Sequence, residues 1–231
     1  MVSDQIASRV LGYDGLRLAL PNSFNLSGEL LLASLLLGIA SGVVAIYFGR
    51  MIRLSEFIFS KIKAPLFIKT TIGGLFIGGL SLYFPYIHEP ATYPLMFDLL
   101  TISTIPLIFL VGLLLVKIVA TATTIGSGAS GGILAPSLLS GLIFGYVVAM
   151  TLPLFGLVAL DVVALGLIGM AGVFAGVTHA PITSAALLYE ITNEPLVIPI
   201  VLISGLAGFF TAKYLHTESV YTEHLSKRRI V

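Results

Sequence analysis

The chain has 231 residues, of which 57% are hydrophobic and 10% charged, and its formal net charge at neutral pH is +1. Soluble domains carry about 25% charged residues, so this composition requires a bilayer as solvent and predicts an integral, multi-pass membrane protein. The small net charge gives no indication of nucleic-acid binding, and we predict no nucleic-acid partner; the absence of cysteine excludes disulfides and thiolate metal sites. No His, Asp, Glu or Ser constellation clusters in the sequence, so we predict no catalytic residue, no metal site and no cofactor.

The N-terminal region does not read as a signal peptide. Residues 1–20 mix charged and apolar residues and lack a continuous apolar core. We interpret residues 1–27 as the tail of a preceding helix and a linker. Ser27 is the predicted N-cap of the first membrane helix, with Glu29 in its first turn. The segment from Leu30 to Gly49 then carries no charge and is long enough to span the hydrocarbon core of about 30 Å.

Two more apolar segments follow a stretch rich in charge. Residues 50–69 contain five basic residues and one acidic residue, which predicts an interfacial segment. A second span is predicted at roughly 70–86 and a third at roughly 99–124, with Lys117 inside the third. The first two spans each contain a G-x-x-x-G pair, typical of helix faces that approach closely. These pairs are Gly38 with Gly42, and Gly74 with Gly78.

The remaining sequence predicts short, interrupted helices. Residues 118–160 contain no charge and are too many for one helix, so we predict a glycine break and a new helix from about Pro136. A second break is predicted at 178–181, between an apolar segment at 162–177 and short helices at 182–192 and 195–213. Such segments are typical of discontinuous transmembrane helices, whose ends form substrate sites, or of kinked helices in an ordinary bundle. In both cases the predicted fold class is all-α.

Residues 126–136, Gly-Ser-Gly-Ala-Ser-Gly-Gly-Ile-Leu-Ala-Pro, formally match the dinucleotide pattern G-x-G-x-x-G. That pattern needs a βαβ unit and an acidic residue about 20 positions on, whereas no acidic residue lies between 126 and 160. The phosphate-binding P-loop pattern also fails, because Gly132 stands where lysine is required. The stretch instead predicts an uncharged anion cradle. Its glycines permit a sharp turn, and the helix that follows begins with unpaired N–H groups. We expect this helix to point its N-terminus into the protein.

These residues resemble the CLC family of chloride channels and chloride/proton antiporters. The stretch 126–136 is similar to the family signature G-S-G-A-P-G-G-I-F-A-P, with Ser130 in place of proline and Leu134 in place of phenylalanine. Residues 170–183, 188–192 and 218–221 resemble later family segments in the same order and spacing. The resemblance implies a CLC-like inverted-repeat architecture, of which residues 28–221 form the C-terminal half of the membrane domain.

The resemblance implies that chloride is the transported ligand and assigns its contacts. The backbone amides of Ile133 and Leu134 and the hydroxyl of Tyr221 are the implied chloride ligands, although a tyrosine near a helix end is also a common interfacial residue. The backbone that presents the amides is the implied anion loop: Gly126, Ser127, Gly128, Gly131, Gly132 and Pro136.

Three further ionisable residues in apolar surroundings receive no transport role. We expect Glu190 to be buried and hydrogen-bonded, with a structural function. Lys117 is expected to snorkel towards the interface or to pair with a carboxylate. His179 is expected to be a histidine at the end of a loop without a special task.

Two family motifs from the first half of the membrane domain are not found in the sequence. These are the G-S-G-I-P loop with a chloride-binding serine and the G-[RK]-E-G-P loop with a gating glutamate; the Gly-Ser-Gly at 126–128 is the only one in the chain. We therefore expect a truncated product, a half that pairs with another chain, or a cut sequence, inactive alone. The alternatives are a non-transporting membrane scaffold or assembly fragment, and an unrelated secondary transporter. Whether the complete protein is a channel or an antiporter stays open.

Expectations on assembly and orientation also follow from the resemblance. It implies a homodimer whose contact helices fall near 28–49 and 182–213, and a separate N-terminal half is the second candidate partner, beside membrane lipid. It places the C-terminus in the cytoplasm. The tail at 222–231 contains Lys227, Arg228 and Arg229, in agreement with the positive-inside rule.

Overall fold

The computed structural model describes residues 26–83, 106–155 and 160–215, and within these ranges the regular structure is helical. The predicted all-α class is confirmed. Seven α-helices are described, and a short 3-10 turn, Leu152–Phe155, extends the fourth. In chain order the helices are α1 Gly28–Ser60, α2 Leu66–Tyr83, α3 Leu107–Gly126, α4 Leu134–Thr151, α5 Val162–Thr178, α6 Pro181–Thr192 and α7 Val197–Leu215.

The first helix begins where the sequence predicts and runs further than the first span. Ser27 is its N-cap, and the Ser27 Oγ accepts a hydrogen bond from the Leu30 N–H at 3.2 Å. The helix continues through Arg50 and Arg53 for 33 residues, about 50 Å. Arginine is a good helix former, so the charges do not end the helix. The second helix starts at Leu66, directly after Pro65, rather than at the predicted residue 70.

Two helices are shorter than a membrane span. By length and composition α1, α2, α3, α7 and α4 with its following turn can cross a bilayer. In contrast, α5 has 17 residues and α6 has 12, about 25 and 18 Å long. They meet at the predicted second break, where His179 adopts the left-handed conformation (φ 60°, ψ 33°) and its N–H donates to the Ala175 carbonyl at 2.8 Å. The predicted discontinuous helices are therefore confirmed.

Helix α5 is the centre of the described fold. Every residue from Ala164 to Val177 is buried, and the helix packs against α1, α4, α6 and α7. Its contact with α4 depends on glycine. A Cβ atom added at Gly145 would meet the Leu165 carbonyl oxygen and would lie 2.8 Å from the Gly166 Cα. Since both are backbone atoms, no rotamer change relieves the clash, and the position of α4 is set by this crossing.

The two G-x-x-x-G pairs have different environments. A Cβ at Gly38 would lie 2.7 Å from the Ser204 carbonyl oxygen, and one at Gly42 would lie 2.6 Å from the Thr211 Cβ, so this pair packs α1 against α7 within the chain. A Cβ at Gly74 or Gly78 would meet nothing within 4 Å. The close-approach face predicted on α2 therefore has no partner among the described residues.

The ionisable residues differ partly from expectation. The prediction that Glu190 is buried is wrong, because its side chain is exposed. The side of α6 that carries Ser184, Ala185 and Leu188 is buried. Glu190 follows Leu188 by two residues and therefore lies on the opposite side of a helix with 3.6 residues per turn. Lys117 is 6% exposed and so is a buried cation within α3, rather than one that snorkels.

Candidate functional site

The candidate site is the connection between α3 and α4, whose first half is tightly hydrogen-bonded. After Gly126, the Ser127 N–H donates to the Thr123 carbonyl at 2.9 Å and the Gly128 N–H to the Ile125 carbonyl at 3.0 Å. The Ser127 side chain is 2% exposed, and its hydroxyl donates to the Thr124 carbonyl at 2.9 Å. These bonds satisfy the last carbonyls of α3 and fix the direction in which the chain leaves that helix.

Two positions in this turn require glycine. A Cβ at Gly126 would meet the Ser55 Oγ of α1 and would lie 2.6 Å from the Ser55 Cβ. Gly128 has φ +83°, in the left-handed region that favours glycine, and a Cβ there would lie 2.5 Å from the Leu66 Cδ1 of α2. Helices α1 and α2 thus hold the turn from two sides.

Helix α4 begins without a side-chain cap. Ile133 is the N-cap residue, with φ −93° and ψ −26°, and the first backbone bond of the helix joins the Ser137 N–H to the Ile133 carbonyl at 3.0 Å. The amides of Ile133, Leu134 and Ala135 precede that bond. Pro136, which has no N–H, is the third residue of the helix, where a missing donor costs little. The predicted glycine break and helix start are confirmed.

The tip of the loop is open. Gly128 and residues 130–132 are exposed, and a Cβ at Gly132 would meet nothing within 4 Å. In contrast, Ile133 is 8% exposed, so its side chain anchors the start of α4 in the core. The expectation that the N-terminus of α4 points into the protein stays a prediction, because residues 84–105 and 216–231 lie outside the described ranges. Among the described residues, Leu66 of α2 approaches Gly128, and residues 130–132 are left exposed.

The electrostatics of the site are those of a neutral anion cradle. The sequence from residue 118 to residue 160 contains no charged side chain, so the loop itself offers an anion the partial positive charge of the helix terminus and its first N–H groups. Such a terminus attracts anions. A site of this kind without a fixed charge suits conduction, which requires that an ion can leave as well as enter.

The structure brings together eight of the nine predicted site residues. The six anion-loop positions, Ile133 and Leu134 are contiguous, and the loop backbone turns as predicted. Tyr221 lies outside the described residues. Ser55 was not predicted as a site residue; it supports Gly126 from α1 and lies in the charged segment that we interpreted as interfacial. Only the helical continuity of α1 through that segment places Ser55 against the loop.

Comparisons with known proteins agree on one family. A family model described as voltage gated chloride channel matches residues 1–213. The voltage-gated ClC-type chloride channel ClcB of Escherichia coli O17:K52:H18 is 34% identical over 173 residues, which are 74% of this chain and 40% of ClcB. ClcB of E. coli strain SMS-3-5 is 33% identical over 172 residues, with the same coverage. The chain thus spans about two-fifths of the length of these relatives.

Solved structures of similar fold extend this agreement. A slow cyanobacterial Cl−/H+ antiporter superposes with a TM-score of 0.76 at 23% identity, over 91% of this chain and 50% of that chain. A CLC-type fluoride/proton antiporter superposes with a TM-score of 0.69 at 24% identity, over 94% and 51%. At these identities the likeness shows the fold. Together with the match to residues 1–213, it excludes an unrelated secondary transporter, and the chain belongs to the CLC, or voltage gated chloride channel, family.

Proposed function

We propose that the chain supplies one side of the central chloride site of a CLC-type channel or chloride/proton antiporter. The amides of Ile133 and Leu134 donate to the ion, and the Tyr221 hydroxyl completes this side. The observation that carries the proposal is the uncapped start of α4, whose first intrahelical bond comes only at Ser137. The family membership supports anion transport as the task of such a site, rather than catalysis.

The residues of the loop have different structural roles in the proposed site. The bonded turn at Ser127 and Gly128 fixes where the chain leaves α3. The buried side chain of Ile133 fixes where α4 begins, and the open backbone at Gly132 leaves room for an ion beside the amides. Leu134 can replace the phenylalanine of the family signature, because the ligand is the amide and not the side chain.

We further propose that this chain alone does not conduct chloride. In the family the ion is held between elements of both halves, and the sequence contains neither the serine loop nor the gating glutamate of the first half. A hydrogen bond to a charged group contributes about 1.5–3 kcal/mol. Each lost contact therefore weakens binding by about tenfold or more. Transport then requires a complementary N-terminal half.

The proposal also covers the assembly of the chain into a homodimer and its orientation in the membrane. The glycine side of α1 is occupied by α7 in the same chain, whereas Leu32, Leu36 and Val43 on another side of α1 are exposed. A homodimer contact at 28–49 would use this exposed apolar side, together with exposed residues of 182–213 such as Ile182 and Phe210. The C-terminal tail would lie in the cytoplasm.

The decisive test removes one N–H group. In a complex of this chain with the N-terminal part of ClcB, the α-hydroxy acid analogue of leucine at position 134 replaces the amide by an ester. We expect chloride affinity, measured by calorimetry, to fall by about tenfold or more, and Tyr221→Phe to lower it as well. The matched control is an ester at Phe67, in the exposed first turn of α2. If the two esters have the same effect, the amide of Leu134 is not a ligand. If chloride does not bind at all, the scaffold alternative is favoured.

A further inference from the structure

A recess lies between α1, α2 and α3, and one of its lining residues, Ser55, also supports Gly126 of the anion loop. Its volume is about 340 Å³, and it is open on one side. Its outer wall is α2, of which only Gly73 is buried, so this helix lies against the others along a narrow contact. We call this recess the lateral groove. Ten residues line it: Met51, Leu54, Ser55, Ile58, Phe59, Ile72, Phe76, Val119, Ala122 and Thr123.

The lining of the lateral groove selects an apolar occupant. Only Ser55 and Thr123 carry polar side chains, and the Thr123 hydroxyl is already engaged, donating to the Val119 carbonyl at 2.8 Å. A water molecule needs two to four polar partners, and apolar cavities of smaller volume than this one stay dry and take up hydrocarbons. Within a bilayer the available hydrocarbon is a lipid acyl chain.

One end of the groove carries positive charge. Lys61, the C-cap residue of α1, is three residues after Ile58 and seven after Leu54, so it continues the face that lines the groove. On α2, Lys69 precedes Ile72 by three residues and Phe76 by seven, again on the lining face. The turn at 61–65 joins these two helices, so both lysines lie at the same end.

The sequence at this end is basic. Residues 61–69 contain three lysines and no acidic residue. Lys61 is exposed, with its Nζ 4.2 Å from the centroid of the Phe57 ring, and Lys63 in the connecting turn is also exposed. Basic side chains next to a membrane helix attract anionic headgroups.

We propose that the lateral groove binds one anionic phospholipid, with an acyl chain along the groove and the phosphate at Lys61 and Lys69. The distance between the lysines and the groove agrees with the dimensions of a phospholipid. Lys69 precedes Ile72, the first lining residue of α2, by three residues, or about 4.5 Å along the helix. This distance matches the separation between the headgroup of a phospholipid and the start of its acyl chain. A protein segment covering the groove would bury the lysines, whereas a lipid leaves them at the interface, where cations are stable. The proposal does not rest on chloride binding at the anion loop.

The test compares two lipids on the purified, delipidated chain in non-ionic detergent. Native mass spectrometry measures binding of dioleoyl phosphatidylglycerol and of dioleoyl phosphatidylcholine, which differ in headgroup charge. We expect phosphatidylglycerol to bind more tightly, by about fivefold for each lysine engaged. Lys61→Gln with Lys69→Gln should remove this preference and leave phosphatidylcholine binding unchanged. The matched control is Lys213→Gln, which removes an exposed lysine that also lies over an aromatic ring, that of Phe209.

A second pair of variants tests the groove itself. Ile72→Trp fills it from the exposed helix and should weaken binding of both lipids. Leu75→Trp, at a residue 72% exposed and outside the lining, should not. Equal affinity of the two lipids for the unmodified chain, an equal loss of preference in Lys213→Gln, or unchanged binding in Ile72→Trp would each overturn the proposal. Density or crosslinks placing another protein segment in the groove would overturn it as well.

Discussion

The two G-x-x-x-G pairs provide an internal comparison, since the same motif occurs in two environments. Ala substitution of Gly38 and Gly42 adds methyl groups where the nearest atoms are 2.6–2.9 Å away, on Ser204, Ala207, Gly208 and Thr211 of α7. Ala substitution of Gly74 and Gly78 adds them where nothing lies within 4 Å. Any effect of glycine-to-alanine exchange on helix propensity is the same in both pairs, so the difference between them reports packing.

The size of the difference follows from these distances. Carbon atoms pack at about 3.5–4.0 Å, so α1 and α7 would have to separate by about 1 Å to accept the methyl groups at Gly38 and Gly42. Overpacking of a core costs about 1–3 kcal/mol. For a chain of this size, 1 kcal/mol shifts Tm by about 2–4 °C. We therefore expect the Gly38→Ala, Gly42→Ala double variant to unfold about 3–10 °C below the unmodified chain. The α2 pair should leave Tm unchanged or slightly raise it.

The assay is thermal unfolding of the purified chain in detergent, followed by far-UV circular dichroism because the chain contains no tryptophan. Both double variants are measured beside the unmodified chain at equal protein and detergent concentrations. Equal Tm values for the two double variants would refute the assignment of Gly38 and Gly42 to the α1–α7 contact. A loss of stability confined to the α2 pair would show that α2 has a close partner that the described residues do not contain.

Two other substitutions test the loop and the core in the same assay. Gly126→Ala should lower Tm, because its Cβ would clash with Ser55, whereas Gly132→Ala, whose Cβ would meet nothing, should not; equal losses would contradict the described turn. Ser41→Ala should raise Tm by about 2–12 °C, because the Ser41 Oγ is the one buried side-chain nitrogen or oxygen without a hydrogen-bond partner among the described residues, and such a group costs about 1–3 kcal/mol. Ser204→Ala is the control, since the Ser204 hydroxyl donates to the Ile168 carbonyl at 2.7 Å, and its Tm should not rise.

The sequence predicted local structure best where the residue types restrict the backbone conformation. The breaks at 126–133 and 178–181 were predictable, because glycine or proline interrupts the apolar sequence there. In addition, the charge-free run at 118–160 is too long for one helix. The cap at Ser27 was predictable for the same reason, since a serine directly precedes a charge-free apolar run. The identity of the loop as a candidate anion site came from its uncharged flanks together with the family resemblance.

Features that depend on which helices pack against each other could not be predicted from the sequence. The sequence does not say which G-x-x-x-G pair meets another helix, because both pairs have the same spacing. Glu190 was expected to be buried from its apolar surroundings, but its exposure depends on which side of α6 meets α5 and α7. The support of Gly126 by Ser55 joins positions 71 residues apart in the chain. The role of Tyr221 and the homodimer stay predictions.

We propose that α4 presents half of a chloride site, which this chain alone does not complete. Chloride efflux from liposomes tests it most directly, with the chain reconstituted alone and together with the N-terminal part of ClcB. We predict efflux from the chain alone at the level of empty liposomes, and chloride-selective efflux from the paired halves that falls when the Leu134 amide is replaced by an ester. Chloride-selective efflux from the chain alone, at the level of the paired halves, would contradict the account.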